Sequence, residues 1–264
     1  MRIHLWSSPR NISTALMYAL ARRPDTKVVD EPLYAHYLAH QPTTAIHPGR
    51  EEIMTELESD ETTLVAQMTT QNYGREIVVF KQMTHHLSGF SRTSKVAMLG
   101  LDQNADADEP IHNVLLLRDP RKILASFAKV VDEVTAEDIG LPQQYELFKE
   151  LKTAGKLTAI LEAKQLLLNP ASVLKELCRR LKISYTDRML SWPAGPIPED
   201  GVWAKYWYEN VHQSTGFQPY VEKDVQLDSE LEEIAQRVMP LYEEMMSHSS
   251  SVRSSEEFIR PDTV

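Results

Sequence analysis

The chain has 264 residues, 42% of them hydrophobic, with a formal net charge of −10 at pH 7 and one cysteine. That length suffices for one large α/β core and does not demand a second. A mean hydropathy of −0.36 and the lack of any long apolar run exclude wholesale disorder and argue against a membrane span. The acid excess argues against broad nucleic-acid binding, because phosphates are drawn to clustered Lys and Arg; the lone cysteine excludes an internal disulfide and a cysteine-rich metal site.

Residues 1–6 are short and apolar and break at Ser7-Ser8-Pro9, after which Ile12, Ala15, Leu16, Ala19 and Leu20 recur at helical spacing. Strand, loop and helix are predicted there. This start offers no signal-peptide core, so a cytoplasmic protein is expected. Residues 27–29, ahead of Asp30-Glu31-Pro32, predict a second strand, residues 77–81 a third and residues 114–117 a fourth, all with the apolar character of buried parallel strands. Asp119-Pro120 then opens a helix running through Ile123, Leu124, Phe127 and Val130-Val131. Residues 157–161 predict a fifth strand, and residues 169–182 and 227–246 are helical by their apolar spacing. Cys178 falls in the apolar pattern of the first of these helices and reads as a core cysteine. Between them lie a loop at 191–198 and an aromatic, polar stretch at 203–217. The alternation predicts a three-layer α/β fold, a doubly wound parallel sheet flanked by helices. It is expected to form one domain over residues 1–247, followed by a flexible tail at 248–264.

In such a sheet the ligand crevice lies outside the carboxyl ends of the strands, and the polar clusters of this chain all follow strand-like runs. The first is Pro9-Arg10-Asn11-Ile12-Ser13-Thr14. A loop between strand and helix can aim backbone N–H groups at an anion, with Ser13 and Thr14 adding hydroxyls and Arg10 a charge. The same residues would also serve as a helix cap beside a surface arginine, and the loop alone does not choose. No G-x-x-x-x-G-K-[ST] string occurs, which argues against an ordinary P-loop NTPase.

The loop resembles the 5′-phosphosulfate loop of sulfotransferases, commonly P-R-S-G-[ST]-T, with Ile12 where the family has glycine and Asn11 where serine is usual. A second cluster, Arg118-Asp119-Pro120-Arg121 followed by Ser126, resembles that family's R-[DN]-P-[RK]-x-x-x-x-S motif. The resemblance implies a P-loop NTPase-like sulfotransferase fold and the donor PAPS (3′-phosphoadenosine 5′-phosphosulfate). Residues 9–14 would then hold the 5′ end, and Arg118 with Ser126 the 3′-phosphate. Glu31 lies twenty-one residues after Arg10, an offset similar to that of the glutamate base in tyrosylprotein sulfotransferases, so the resemblance makes it the leading general base. A helix cap is its alternative role. Lys81, at a strand end and followed by His85 and His86, loosely resembles the lysine and catalytic histidine of cytosolic sulfotransferases. Lys205 lies where family members close a loop over the nucleotide.

The expected reaction is transfer of the sulfuryl group from PAPS to a hydroxyl, or less readily an amine, of a small-molecule acceptor, leaving PAP. Arg10 and Lys81 would offset charge on the moving group, and Glu31, or else His85 or His86, would take the proton. The alternatives are a non-catalytic nucleotide-binding protein of the same fold and a kinase-like phosphoryl transferase. Neighbouring histidines rarely chelate one ion and no third ligand follows at suitable spacing, so no metal is expected. Neither nucleic acid nor membrane is an expected partner, and the oligomeric state, a homo-oligomer included, is left open.

Overall fold

Side chains along the first strand alternate between two apolar layers, Ile3 and Leu5 toward one and Trp6 toward the other, all almost fully buried. A strand apolar on both faces has to lie between layers of helices. The computed structural model, which describes residues 1–40, 47–103, 109–128, 134–222 and 224–249, places it there.

The chain runs through β1 (Arg2–Ser7), α1 (Ser13–Ala21), β2 (Thr26–Asp30), α2 (Tyr34–His40), α3 (Arg50–Glu56) and α4 (Glu61–Thr69). It continues with β3 (Ile77–Met83), a 3-10 turn (Thr84–Leu87), α5 (Arg92–Leu99), β4 (Ile111–Leu117) and α6 (Pro120–Phe127). Then follow α7 (Leu141–Thr153), β5 (Leu157–Glu162), α8 (Ala163–Leu168), α9 (Pro170–Leu181) and a second 3-10 turn (Asp187–Leu190). Two single-turn helices, α10 (Ala204–Trp207) and α11 (Glu209–His212), precede the long α12 (Ser229–Ser247).

The five strands are all parallel, in the order β2-β3-β1-β4-β5. Alternate residues of each inner strand feed opposite cores: Val79, Val114 and Leu116 meet α1, α2 and α9, while Phe80, Leu115 and Leu117 meet α5, α6, α7 and α12. The expected three-layer α/β architecture is therefore present. All five predicted strands form, and β3 runs two residues past its predicted end because Gln82 and Met83 still pair with Trp6 and Ser7. The helix after Asp119 is described as far as Phe127; Val130 and Val131 lie outside the described residues, as does the tail from residue 250 onward. Among the described residues no helix is long and apolar enough to cross a membrane.

From β1 the chain moves to one side of the sheet for β2 and β3 and to the other for β4 and β5. The carboxyl ends around β1 thus open onto a crevice at the point where the winding reverses. Some helix starts are capped by side chains: Asp60, Asp119 and Asp228 accept the N–H of Thr63, Arg121 and Leu231. At α1, which starts on the crevice, no side chain caps the first turn.

Candidate functional site

A cleft of about 460 Å³ lies over these strand ends. Its floor at β1 is the loop carrying Arg10 to Thr14, and the backbone there is unusual. Arg10 and Ile12 have φ of 57° and 26°, and Glu31, across the cleft, has 38°. Left-handed backbone is costly for any side chain and worst for a β-branched one, about 1–3 kcal/mol each, and such strain gathers at working sites. Three of the four non-glycine residues with positive φ among the described residues border this one cleft. The bend is pinned from inside by Asn11, whose buried side-chain amide donates to the Leu116 carbonyl at 2.6 Å. Asn11 thus holds the loop's shape, and the loop keeps its turn with isoleucine where glycine was expected.

At the end of β4, the Arg118 guanidinium donates to the Arg10 carbonyl at 2.5 Å, and Arg10 Nε donates to Ser126 Oγ at 3.1 Å. The two basic loops therefore meet as one site. Both guanidiniums are half-buried, and among the described residues neither forms a salt bridge. Burial lowers the pKa of each, and Arg10 lowers that of Arg118 further. Two adjacent arginines without a salt-bridge partner make a strong local field for an anion.

On the opposite wall β2 and β3 set Asp30 beside Lys81 in register. The Lys81 ammonium is wholly buried and donates to Asp30 Oδ1 at 3.0 Å, to Glu31 Oε1 and to the Tyr208 hydroxyl at 2.7 Å. An ammonium has three protons, so all of Lys81's are taken. In place of the sulfuryl contact expected of it, Lys81 serves two carboxylates. Burial works against its charge, and Asp30 and Glu31 more than offset that, raising its pKa. For Glu31, burial raises the pKa, Lys81 opposes, and Asp30 pushes it up again, so its net proton affinity exceeds that of an ordinary glutamate. Glu31 alone of the two carboxylates borders the cleft.

Aromatic side chains line the remaining wall. Tyr34 and Tyr37 both stack on His86, at 4.5 and 4.8 Å between ring centroids, and the Tyr34 hydroxyl bonds with His47 Nδ1 at 2.9 Å. His85 borders the cleft, whereas His86 lies behind the tyrosines, its Nδ1 3.8 Å from Glu31 Oε2. Burial lowers the His85 pKa to about 3 and that of His86 well below its ordinary 6.5, so both rings are neutral at physiological pH.

Pro9 to Thr14, Glu31, Lys81, His85, Arg118 and Ser126 are brought to this one cleft. Lys205 is not: it faces outward and pairs with Glu52 at 2.6 Å, both exposed. The aromatics of the same segment, Trp203 and Trp207, do border the cleft, and the Arg10 guanidinium lies 5.9 Å from the Trp207 ring centre. Tyr208 and Asp30, neither of them given a catalytic or binding role from the sequence, complete the buried network around Lys81. Among the described residues no group of three or more His, Cys, Asp or Glu could hold a metal ion.

A family model for the sulfotransferase domain matches residues 1–249 of the chain. Branched-chain-amino-acid aminotransferase-like proteins 1 and 2 of Arabidopsis thaliana are 36% and 34% identical to it over 256 residues, which is 96% of this chain and 43% of each relative. The chain thus spans less than half the length of these curated relatives. Among solved structures, a sulfotransferase domain from the curacin biosynthetic pathway matches with a TM-score of 0.52 at 18% identity, covering 94% of this chain and 97% of that one. A sulfotransferase from Alicyclobacillus acidocaldarius matches with a TM-score of 0.54 at 14% identity, covering 94% and 96%. At such identities these structures speak for the fold alone.

Proposed function

The chain belongs to the sulfotransferase family, and from that premise we propose that its donor is PAPS and its acceptor a hydroxyl, or less readily an amine, of a small molecule. The observation that carries this reading is the pair Arg10 and Arg118, half-buried on one cleft and free of salt-bridge partners among the described residues, Arg118 bonded to the Arg10 carbonyl and Arg10 to Ser126. A dianionic 3′-phosphate calls for a guanidinium beside a hydroxyl. The uncapped first turn of α1, with Ser13 and Thr14, suits the 5′-phosphosulfate. Trp203 and Trp207 offer faces for the adenine.

In the proposed step the acceptor oxygen attacks sulfur in line, the new O–S bond forming as the bond from sulfur to the 5′-phosphate oxygen breaks. Glu31 takes the acceptor's proton and PAP leaves with the bridging oxygen. The arginines offset charge gathering on that oxygen. Glu31 suits a base because its raised proton affinity brings it nearer the working pH, and such a base is worth roughly 10²–10⁴ in rate. Residues 1–247 are taken as a single domain for this purpose.

Calorimetric titration with PAP and with ATP tests the reading. PAP is expected to bind, Arg118→Ala to weaken it by about tenfold or more, and Glu31→Gln to keep PAP affinity while turnover falls. Binding of ATP without PAP would overturn the donor assignment.

A further inference from the structure

The hydroxyl of Tyr208 is used to capacity. It donates to Asp30 Oδ2 at 2.7 Å and accepts from Lys81 Nζ at 2.7 Å and from the Trp203 indole N–H at 3.0 Å. It also lies 3.5 Å from Glu31 Oε1. Asp30 Oδ2 receives a further bond from the Gly201 N–H at 3.2 Å. Gly201, Trp203 and Tyr208 belong to one short segment, and the same segment presents Trp203 and Trp207 to the cleft. One stretch of chain thus forms a wall of the cleft and grips both partners of the base.

Resting on the sulfotransferase reading above, we propose that Tyr208 is a positioning residue for the base: by holding Asp30 and Lys81 together it fixes how Lys81 faces Glu31, and it carries that hold into the segment that walls the cleft. Asp30 draws on three donors, namely Lys81, the Tyr208 hydroxyl and the Gly201 N–H. Without the hydroxyl it has two and competes harder for the Lys81 ammonium. Glu31 then loses part of that charge, which favours its ionised form. The buried ring of Tyr208, 5.0 Å from Lys81 Nζ, also stays in place when only the hydroxyl is removed, which makes phenylalanine a clean probe.

The test needs no acceptor. Parent and Tyr208→Phe are labelled with carbon-13 at glutamate carboxyls, the Glu31 resonance is assigned by its loss in Glu31→Gln, and each protein is titrated across pH. PAP affinity is measured by calorimetry on the same samples. The Glu31 midpoint is expected to rise by about one unit in Tyr208→Phe, with PAP affinity kept within about threefold. Trp203→Phe, which removes only the indole N–H among the polar atoms, should move it the same way by less. A midpoint that stays or falls in Tyr208→Phe overturns the role; should that variant not fold, an unmoved midpoint in Trp203→Phe does so. A parent that binds no PAP overturns the donor reading, and the titration then decides the Tyr208 network by itself.

Discussion

Taking the ammonium away from Lys81 would leave Asp30 and Glu31 buried side by side with no counter-ion. Removing one partner of a buried ion cluster costs about 3–5 kcal/mol, because the charge left behind keeps its desolvation penalty. Lys81→Met is therefore expected to lower the urea midpoint strongly, whereas Arg118→Ala, whose cation has no carboxylate to strand, should leave it almost unmoved. Urea titration of both variants at neutral pH checks the contrast, and equal losses would sink it. The same comparison separates the cations of this cleft by what surrounds them. Lys81 is enclosed by acids, whereas Arg10 and Arg118 face the cleft with no salt-bridge partner among the described residues. Position along the strand alone does not divide them: Arg118 directly follows β4, and Lys81 lies two residues short of the end of β3.

Helix α9 ends on Lys182 in a left-handed conformation, φ 56° and ψ 38°, where its N–H closes the last turn onto the Arg179 carbonyl. Glycine adopts that conformation without the Cβ clash that lysine meets there. Lys182→Gly should stabilise the protein by about 0.5–1 kcal/mol, read as a higher melting temperature with PAP affinity unchanged. Elements such as this were legible beforehand because their signals are local: apolar runs for strands sealed on both sides, Asp119-Pro120 for the start of α6, 3.6-residue spacing for α9 and α12. That the loop after β1 and Arg118 would border one crevice was legible for the same reason, since both directly follow strand ends. Residues 201–217 were not, because their place is set by distant contacts, including the bridge between Ser191 and Gly216 and the burial of Trp203 against the core. Lys205 and Tyr206 consequently point outward while Trp203, Trp207 and Tyr208 point in. One signal was available: Trp203 with Trp207, and Ala204 with Tyr208, each recur four residues apart, which places them on one side of a helical turn and Lys205 and Tyr206 on the other. Asp30's role had no such signal, since its partnership with Lys81 depends on β2 pairing with β3 across fifty-one residues.

Across the whole molecule, neutral histidines are built into the interior. Burial lowers the pKa of His4 and of His85 to about 3, and His86 falls well below its ordinary 6.5. Each binds a proton in the unfolded chain at a pH where the folded protein refuses one, so stability is full above pH 6.5 and declines as pH falls toward 3. The decline is about 1.4 kcal/mol per pH unit for each such group well below 6.5. Glu31, with its raised pKa, opposes this by at most one proton. Denaturation at a series of pH values from 7 to 4 should show net proton uptake on unfolding in the acid range; a flat profile would contradict the burial of these rings. The chain's only thiol offers a different kind of handle. Cys178 is 1% exposed on α9, and burial also pushes its pKa up, so the native protein should ignore a maleimide and react once when unfolded. Val221, 65% exposed, sits between Tyr220 and Glu222, whose side chains clasp Lys122 on α6. A Val221→Cys protein would accordingly carry a fluorophore at that position alone, beside the Lys122 clasp on α6, without any native cysteine having to be removed.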